Sequence, residues 1–123
     1  MLKKKVIVCD DDEGILDMMS MVLESEELDV ITESNSLNLR HLIAEQHPDL
    51  LLLDLWMPVL SGDLILRQLR EQEATRTLPV IVISASRDGK KIAMENGATD
   101  FLAKPFDLDE LGRRISQLIE QDQ

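Results

Sequence analysis

A few residues at the ends of short apolar runs could do chemistry in this chain of 123 residues. Asp10 and Asp11 follow Val6-Ile7-Val8-Cys9, and Asp54 follows Leu50-Leu51-Leu52-Leu53. Ser84 follows Val80-Ile81-Val82-Ile83, and Lys104 follows Phe101-Leu102-Ala103. Brought to one rim, Asp10, Asp11 and Asp54 outweigh the single ammonium of Lys104. Two carboxylates about 5 Å apart, at an effective dielectric near 20, repel by about 3 kcal/mol. The residual charge invites a divalent cation. The ligands on offer are oxygens, and no Cys/His cluster favours zinc, so magnesium (or manganese) is the expected ion.

Such a rim needs elements that all end at the same side. Apolar runs and amphipathic stripes alternate along the whole sequence. The runs at Val6–Cys9, Leu28–Thr32, Leu50–Leu53, Val80–Ile83 and Phe101–Ala103 predict strands. Helices are predicted from Glu13 to about Glu26, over Ser36–Gln46, Asp63–Glu73 and Asp88–Asn96, and from Asp107 onward. Gly97 is placed to cap the fourth helix. Asp107 with Glu110 has the spacing of a capping box. Strands apolar on both faces, alternating with amphipathic helices, imply a (βα)5 fold. This is a doubly wound α/β architecture, with a parallel five-stranded sheet and helices on both faces. Crossovers are then right-handed, and ligands gather at the carboxyl ends of the strands.

Composition narrows the function. Residues 1–123 have the size of one domain, and no effector domain, linker or repeat is evident in them. The net charge of −11 argues against direct nucleic-acid binding, which rests on neutralising phosphates. No apolar run is long enough to span a membrane, and the first residues are too short for a signal peptide. The single cysteine, Cys9, excludes an internal disulfide, so a reduced, cytoplasmic setting is expected. The lysines at positions 3–5 fit a solvated strand start. The strand ends exclude several rivals. Four acids after strand one would repel a flavin phosphate, and only Gly14 is available for a dinucleotide loop. Trp56 stands where an Asp-x-Asp phosphatase needs its second carboxylate. Ser84 has no histidine in the strand-end set to serve as base. His41 and His47 fall away from the rim.

In this arrangement VIVCDDDE, LLLLDLWMPVLSG, VIVISAS and FLAKPF together resemble the receiver domain of two-component response regulators, over nearly the whole chain. The resemblance implies a strand order of 2-1-3-4-5. It implies that Asp54 accepts a phosphoryl group from a phosphohistidine on a histidine kinase or a histidine phosphotransfer protein. Asp11 and the backbone carbonyl of Trp56 would bind magnesium with Asp54, and Asp10 would stand alongside. Lys104 and Ser84 would engage the phosphoryl oxygens, and Phe101 would be the aromatic that moves with the switch. The Lys104–Pro105 bond would be cis. Such a domain catalyses only its own phosphorylation and dephosphorylation. It reports to a downstream target or relay partner through the surface of its last two helices. The alternative is a receiver-like module that docks constitutively, without phosphorylation.

Two departures stand out. The stretch from Ser84 to Lys104 is slightly shorter than in many members of the family, near SRDGKK. Trp56 is unusually large and Ser86 is small, at two positions that tune how fast water removes the phosphoryl group in that family.

Overall fold

The computed structural model describes residues 3–25 and 27–120. Five strands form one parallel sheet: β1 (Lys4–Cys9), β2 (Leu28–Glu33), β3 (Leu50–Asp54), β4 (Val80–Ser84) and β5 (Asp100–Ala103). Their order is β2-β1-β3-β4-β5, as the resemblance implies. The helices between and after them are α1 (Glu13–Leu23), α2 (Leu39–Gln46), α3 (Gly62–Glu71), α4 (Gly89–Glu95) and α5 (Leu108–Glu120). No helix among the described residues is long and apolar enough to cross a membrane.

The central strand explains the run of four leucines. Leu51 and Leu53 pack on one face with Leu39, Ile43, Ile65, Leu66, Leu69 and Ala93 from α2, α3 and α4. Leu50 and Leu52 pack on the other with Leu16, Met19, Leu111, Ile115 and Ile119 from α1 and α5. All four are fully buried. Each such side chain is worth about 1.5–3 kcal/mol of apolar burial, so β3 is held in place from both sides. In register, Leu53 pairs with Cys9 and Asp54 with Ile83.

Several boundaries differ from the predicted ones. Helix α1 stops at Leu23 rather than near Glu26, which itself lies outside the described residues. The Glu24 carboxylate accepts from the Val30 amide at 2.8 Å, and Ser25 Oγ accepts from the Glu27 and Leu28 amides. These bonds commit the segment to a turn that sets β2 beside β1. Ser36–Asn38 is a separate 3-10 turn ahead of α2, capped by Asn35. Helix α3 begins one residue early, at Gly62, and ends at Glu71, with a 3-10 turn over Glu73–Thr75. The expected capping box does not form. Asp107 accepts from the Asp109 amide, while Glu110 turns along the helix to Arg114 at 2.7 Å. A charge-assisted pair outcompetes a neutral amide.

Helix α4 is only seven residues long and is tied at its far end. Arg67 donates to Asn96 Oδ1 at 3.1 and 3.0 Å, and Arg70 Nε donates to the Gly97 carbonyl at 2.8 Å. Arg70 also reaches the carbonyls of Thr75 and Arg76. Gly97 has a φ of +100°, and an added Cβ would lie 2.8 Å from Arg70 Cγ. Its placement after the helix agrees with the cap expected from sequence.

Candidate functional site

Three of the five strands deliver their last or following residue to the charged centre of the carboxyl-end rim. Asp10 follows β1, Asp54 closes β3, and Lys104 follows β5. Lys104 Nζ lies 3.1 Å from Asp10 Oδ2 and 3.4 Å from Asp54 Oδ1. One carboxylate oxygen from each of Asp10, Asp11 and Asp54 falls within 4.8 Å of the others. Asp10 and Asp54 are buried and Asp11 is exposed. The Lys104–Pro105 bond is cis.

Hydrogen bonds distinguish the three acids. Asp10 Oδ1 accepts from the Asp12 amide at 2.9 Å, and its Oδ2 takes Lys104, so both of its oxygens have protein partners. Asp54 has one oxygen on Lys104 and the other without a protein donor among the described residues. Asp12 is a helix cap and not part of the cluster: its side chain accepts from the Gly14 and Ile15 amides.

Burial is the first cause of the electrostatic cost. It pushes the Asp54 carboxyl up from its ordinary 3.8 to about 6, and the charge on Asp10 pushes the same way. Lys104 opposes both, and Asp11 adds a smaller repulsion. Burial alone would lower Lys104, but the hydrogen bonds and charges of Asp10 and Asp54 raise it on balance. The Lys104 ammonium is therefore secure at neutral pH, whereas Asp54 is held at a cost. Cys9, beneath the acids, is pushed up to about 12, first by burial and then by Glu33, Asp10 and the other carboxylates. It is a buried apolar filler beside Met57, not a reactive thiol.

Ser84 is buried at the end of β4, and its Oγ accepts from the Ser86 amide at 3.0 Å. That leaves its hydroxyl proton to donate. Its carbonyl accepts from the Lys104 amide at 2.9 Å, so β4 and β5 hold the two residues in fixed relation. Phe101 is half-buried on β5. Trp56 is 48% exposed, an uncommon placement for so large an apolar side chain. His41 and His47 lie outside this set: His41 pairs with Glu45 on the surface of α2, and His47 ends that helix.

The β3–α3 loop is shaped by two residues. An added Cβ on Gly62 would lie 2.4 Å from the Asp54 carbonyl oxygen, so only glycine lets α3 start against the end of β3. Val59 has a φ of 72° while 83% exposed, a strained conformation for a β-branched residue. Val59→Gly is expected to raise stability by about 1 kcal/mol, measured by urea titration with an unchanged slope.

Residues outside the predicted set also matter. Gly62 is visible in the sequence only as a loop marker. Gly89, Arg67 and Arg70 carry no local signal, because their partners lie far along the chain.

A doubly wound sheet of order 2-1-3-4-5 with acids, a hydroxyl and an ammonium at its carboxyl end is the architecture of the receiver class of signalling domains. The chain belongs to the response regulator receiver domain family, whose model matches residues 6–116. It is 32% identical over 119 residues to the DNA-binding dual master transcriptional regulator RpaA of Synechocystis sp., covering 95% of this chain and 49% of that protein. The chain thus spans about half the length of the curated relatives it matches. It is also similar to the solved receiver domain of the Francisella response regulator 1452, with a TM-score of 0.90, 32% identity, and coverage of 98% and 100% of the two chains. A third relative is the receiver domain of sensor histidine kinase PA1611 from Pseudomonas aeruginosa, solved with magnesium in its active-site cleft. Its TM-score is 0.87 and its identity 26%, over 97% of this chain and 99% of that one.

Proposed function

We propose that this chain is a phosphorylation-controlled switch in which Asp54 takes a phosphoryl group from a phosphohistidine of a sensor kinase or a histidine phosphotransfer protein. One observation carries the reading: the Asp54 carboxylate, raised to about 6 by burial and by Asp10, sits against the Lys104 ammonium with one oxygen free of protein donors among the described residues. That oxygen is the nucleophile. It forms a bond to phosphorus as the phosphorus–nitrogen bond of the phosphohistidine breaks and its electron pair returns to the imidazole. Lys104 draws negative charge from the incoming oxygens and holds the acceptor in line. Ser84 donates its hydroxyl proton to a phosphoryl oxygen. An apolar groove of about 460 Å³, lined by Ile15, Met18, Pro105, Phe106 and Leu108, opens beside Lys104 and gives a partner protein a place to settle over the rim.

The donor set suits a hard cation. Asp11, Asp54 and the Trp56 carbonyl would hold magnesium or manganese directly, with Asp10, already engaged by Lys104 and the Asp12 amide, standing behind. When bound, the cation offsets the excess charge of the rim and of the phosphoryl oxygens. Magnesium in the cleft of the related kinase receiver supports this reading.

The product adds charge and acceptor oxygens next to Lys104 and Ser84, biasing β4, β5 and the α4–β5–α5 face that a target or relay partner would contact. The chain acts on no outside substrate in this reading.

Incubation with a small acyl phosphate and magnesium, followed by intact mass, tests it. One phosphate-sized gain is expected in the wild type and none in Asp54→Ala. No gain in the wild type would favour a phosphorylation-independent docking module. The half-exposed Trp56 shields the product from water, with Ser86 leaving room beside Ser84. Trp56→Asn is expected to shorten the phosphorylated lifetime several-fold, followed by loss of the added mass with time; an unchanged lifetime would leave Trp56 as loop packing only.

A further inference from the structure

Helix α4 begins directly on Ser84 and Phe101, the pair of residues assigned to switching. An added Cβ on Gly89 would lie 3.0 Å from Ser84 Cβ and 3.1 Å from both Cε1 and Cζ of Phe101. Gly89 is buried and is the first residue of its helix. The bare α-carbon therefore forms one wall of the space that the Phe101 ring fills, with Ser84 at its edge.

Little around this contact can yield. The far end of α4 is fixed by Arg67 on Asn96 and Arg70 on the Gly97 carbonyl. Ala93, midway along the helix, is fully buried in the core. The end of β4 is fixed on both sides: the Leu55 amide donates to the Ile83 carbonyl and the Lys104 amide to the Ser84 carbonyl. The Phe101 ring, half-buried and attached by two rotatable bonds, is the part that can move. The short connection from Ser84 to α4 is what brings a helix residue, rather than a loose loop, against the ring.

We propose that Gly89 is a positioning residue that couples the Phe101 ring to Ser84, its missing side chain setting where the ring rests and hence how the site responds to phosphorylation. This rests on the reading of Asp54, Ser84 and Phe101 as acceptor and switch. A methyl group at position 89 crowds the Ser84 Cβ and the ring by a few tenths of an ångström, the ring being the part free to give way, and none of its nearest neighbours is Asp10, Asp11, Asp54 or Lys104.

The chain has two phenylalanines and no tyrosine, so the aromatic NMR signals of Phe101 and Phe106 are readily separated. In unmodified Gly89→Ala the Phe101 ring signals should shift and those of Phe106 stay. With a small acyl phosphate, the modification rate or phosphorylated lifetime should change at least threefold. In a Phe101→Leu background the same Gly89→Ala change should have less than half that effect, because the ring's share of the crowding is gone and only the contact with the Ser84 Cβ is left. An unmoved Phe101 signal in Gly89→Ala, or an equal kinetic effect in both backgrounds, overturns the coupling. Should Gly89→Ala fold poorly while the double variant folds well, the steric contact is confirmed by rescue; poor folding of both overturns it. Absence of any mass gain in the wild type sinks the phosphorylation reading instead, and the ring shift in unmodified protein still decides the contact.

Discussion

Lys104→Met will slow modification of Asp54 by a small phosphodonor by about 10²–10³-fold, the usual cost of deleting one preorganised electrostatic group. The substitution keeps most of the apolar stem and removes the charge. In the structure that charge lies 3.1 Å from Asp10 and 3.4 Å from Asp54. Among the described residues no other cation pairs with either acid. An anionic phosphoryl group approaching the variant would meet three carboxylates with less to offset them. The same change has the opposite effect on a divalent cation. With the ammonium gone, the acids attract it more strongly, so magnesium should bind several-fold more tightly, followed through Trp56, the single tryptophan. Slower phosphoryl acceptance with tighter magnesium binding would mark Lys104 as a charge partner of the reaction. Loss of both would mean that its role is to hold the rim together.

Much of this arrangement is legible in the sequence. Leu50–Leu53 can be read as a strand buried on both faces, which places Asp54 at a strand end, and the other strand ends follow from similar short runs. What sequence cannot show is competition between distant partners. The Asp107–Glu110 spacing suits a capping box, but Arg114 one turn on takes the Glu110 carboxylate. The apolar stripe of α1 gives no warning that Glu24 will turn away to bond the Val30 amide. Gly89 stands in a polar stretch and would pass as loop flexibility. Its meaning appears only when β5, further along the chain, brings Phe101 to within contact of it. Arg70 is likewise an ordinary helix-surface arginine until Gly97 folds back beneath it.

The site should also carry a stability cost, measurable without any phosphodonor. Asp54→Asn is expected to stabilise the metal-free protein at pH 7 by about 1–2 kcal/mol, after discounting for solvent screening at the rim. That corresponds to a rise in Tm of several degrees for a domain of this size. The sign follows from the folded carboxyl being raised to about 6 from 3.8, chiefly by burial and then by Asp10. An acid whose pKa is raised on folding binds its proton more tightly in the native state. Its contribution is therefore most favourable below 3.8 and is lost as pH climbs through about 6. In chelator, the wild type should lose stability relative to Asp54→Asn across that window, and the two should converge at the acidic end. Saturating magnesium should reverse the order at neutral pH, since a ligand at 100 times its Kd adds about 2.7 kcal/mol to the form that binds it. If Asp54→Asn were less stable than the wild type in chelator at pH 7, the bond to Lys104 would outweigh the burial of the carboxylate, and Asp54 would be a stabilising ion pair rather than an acceptor held at a cost for its reaction.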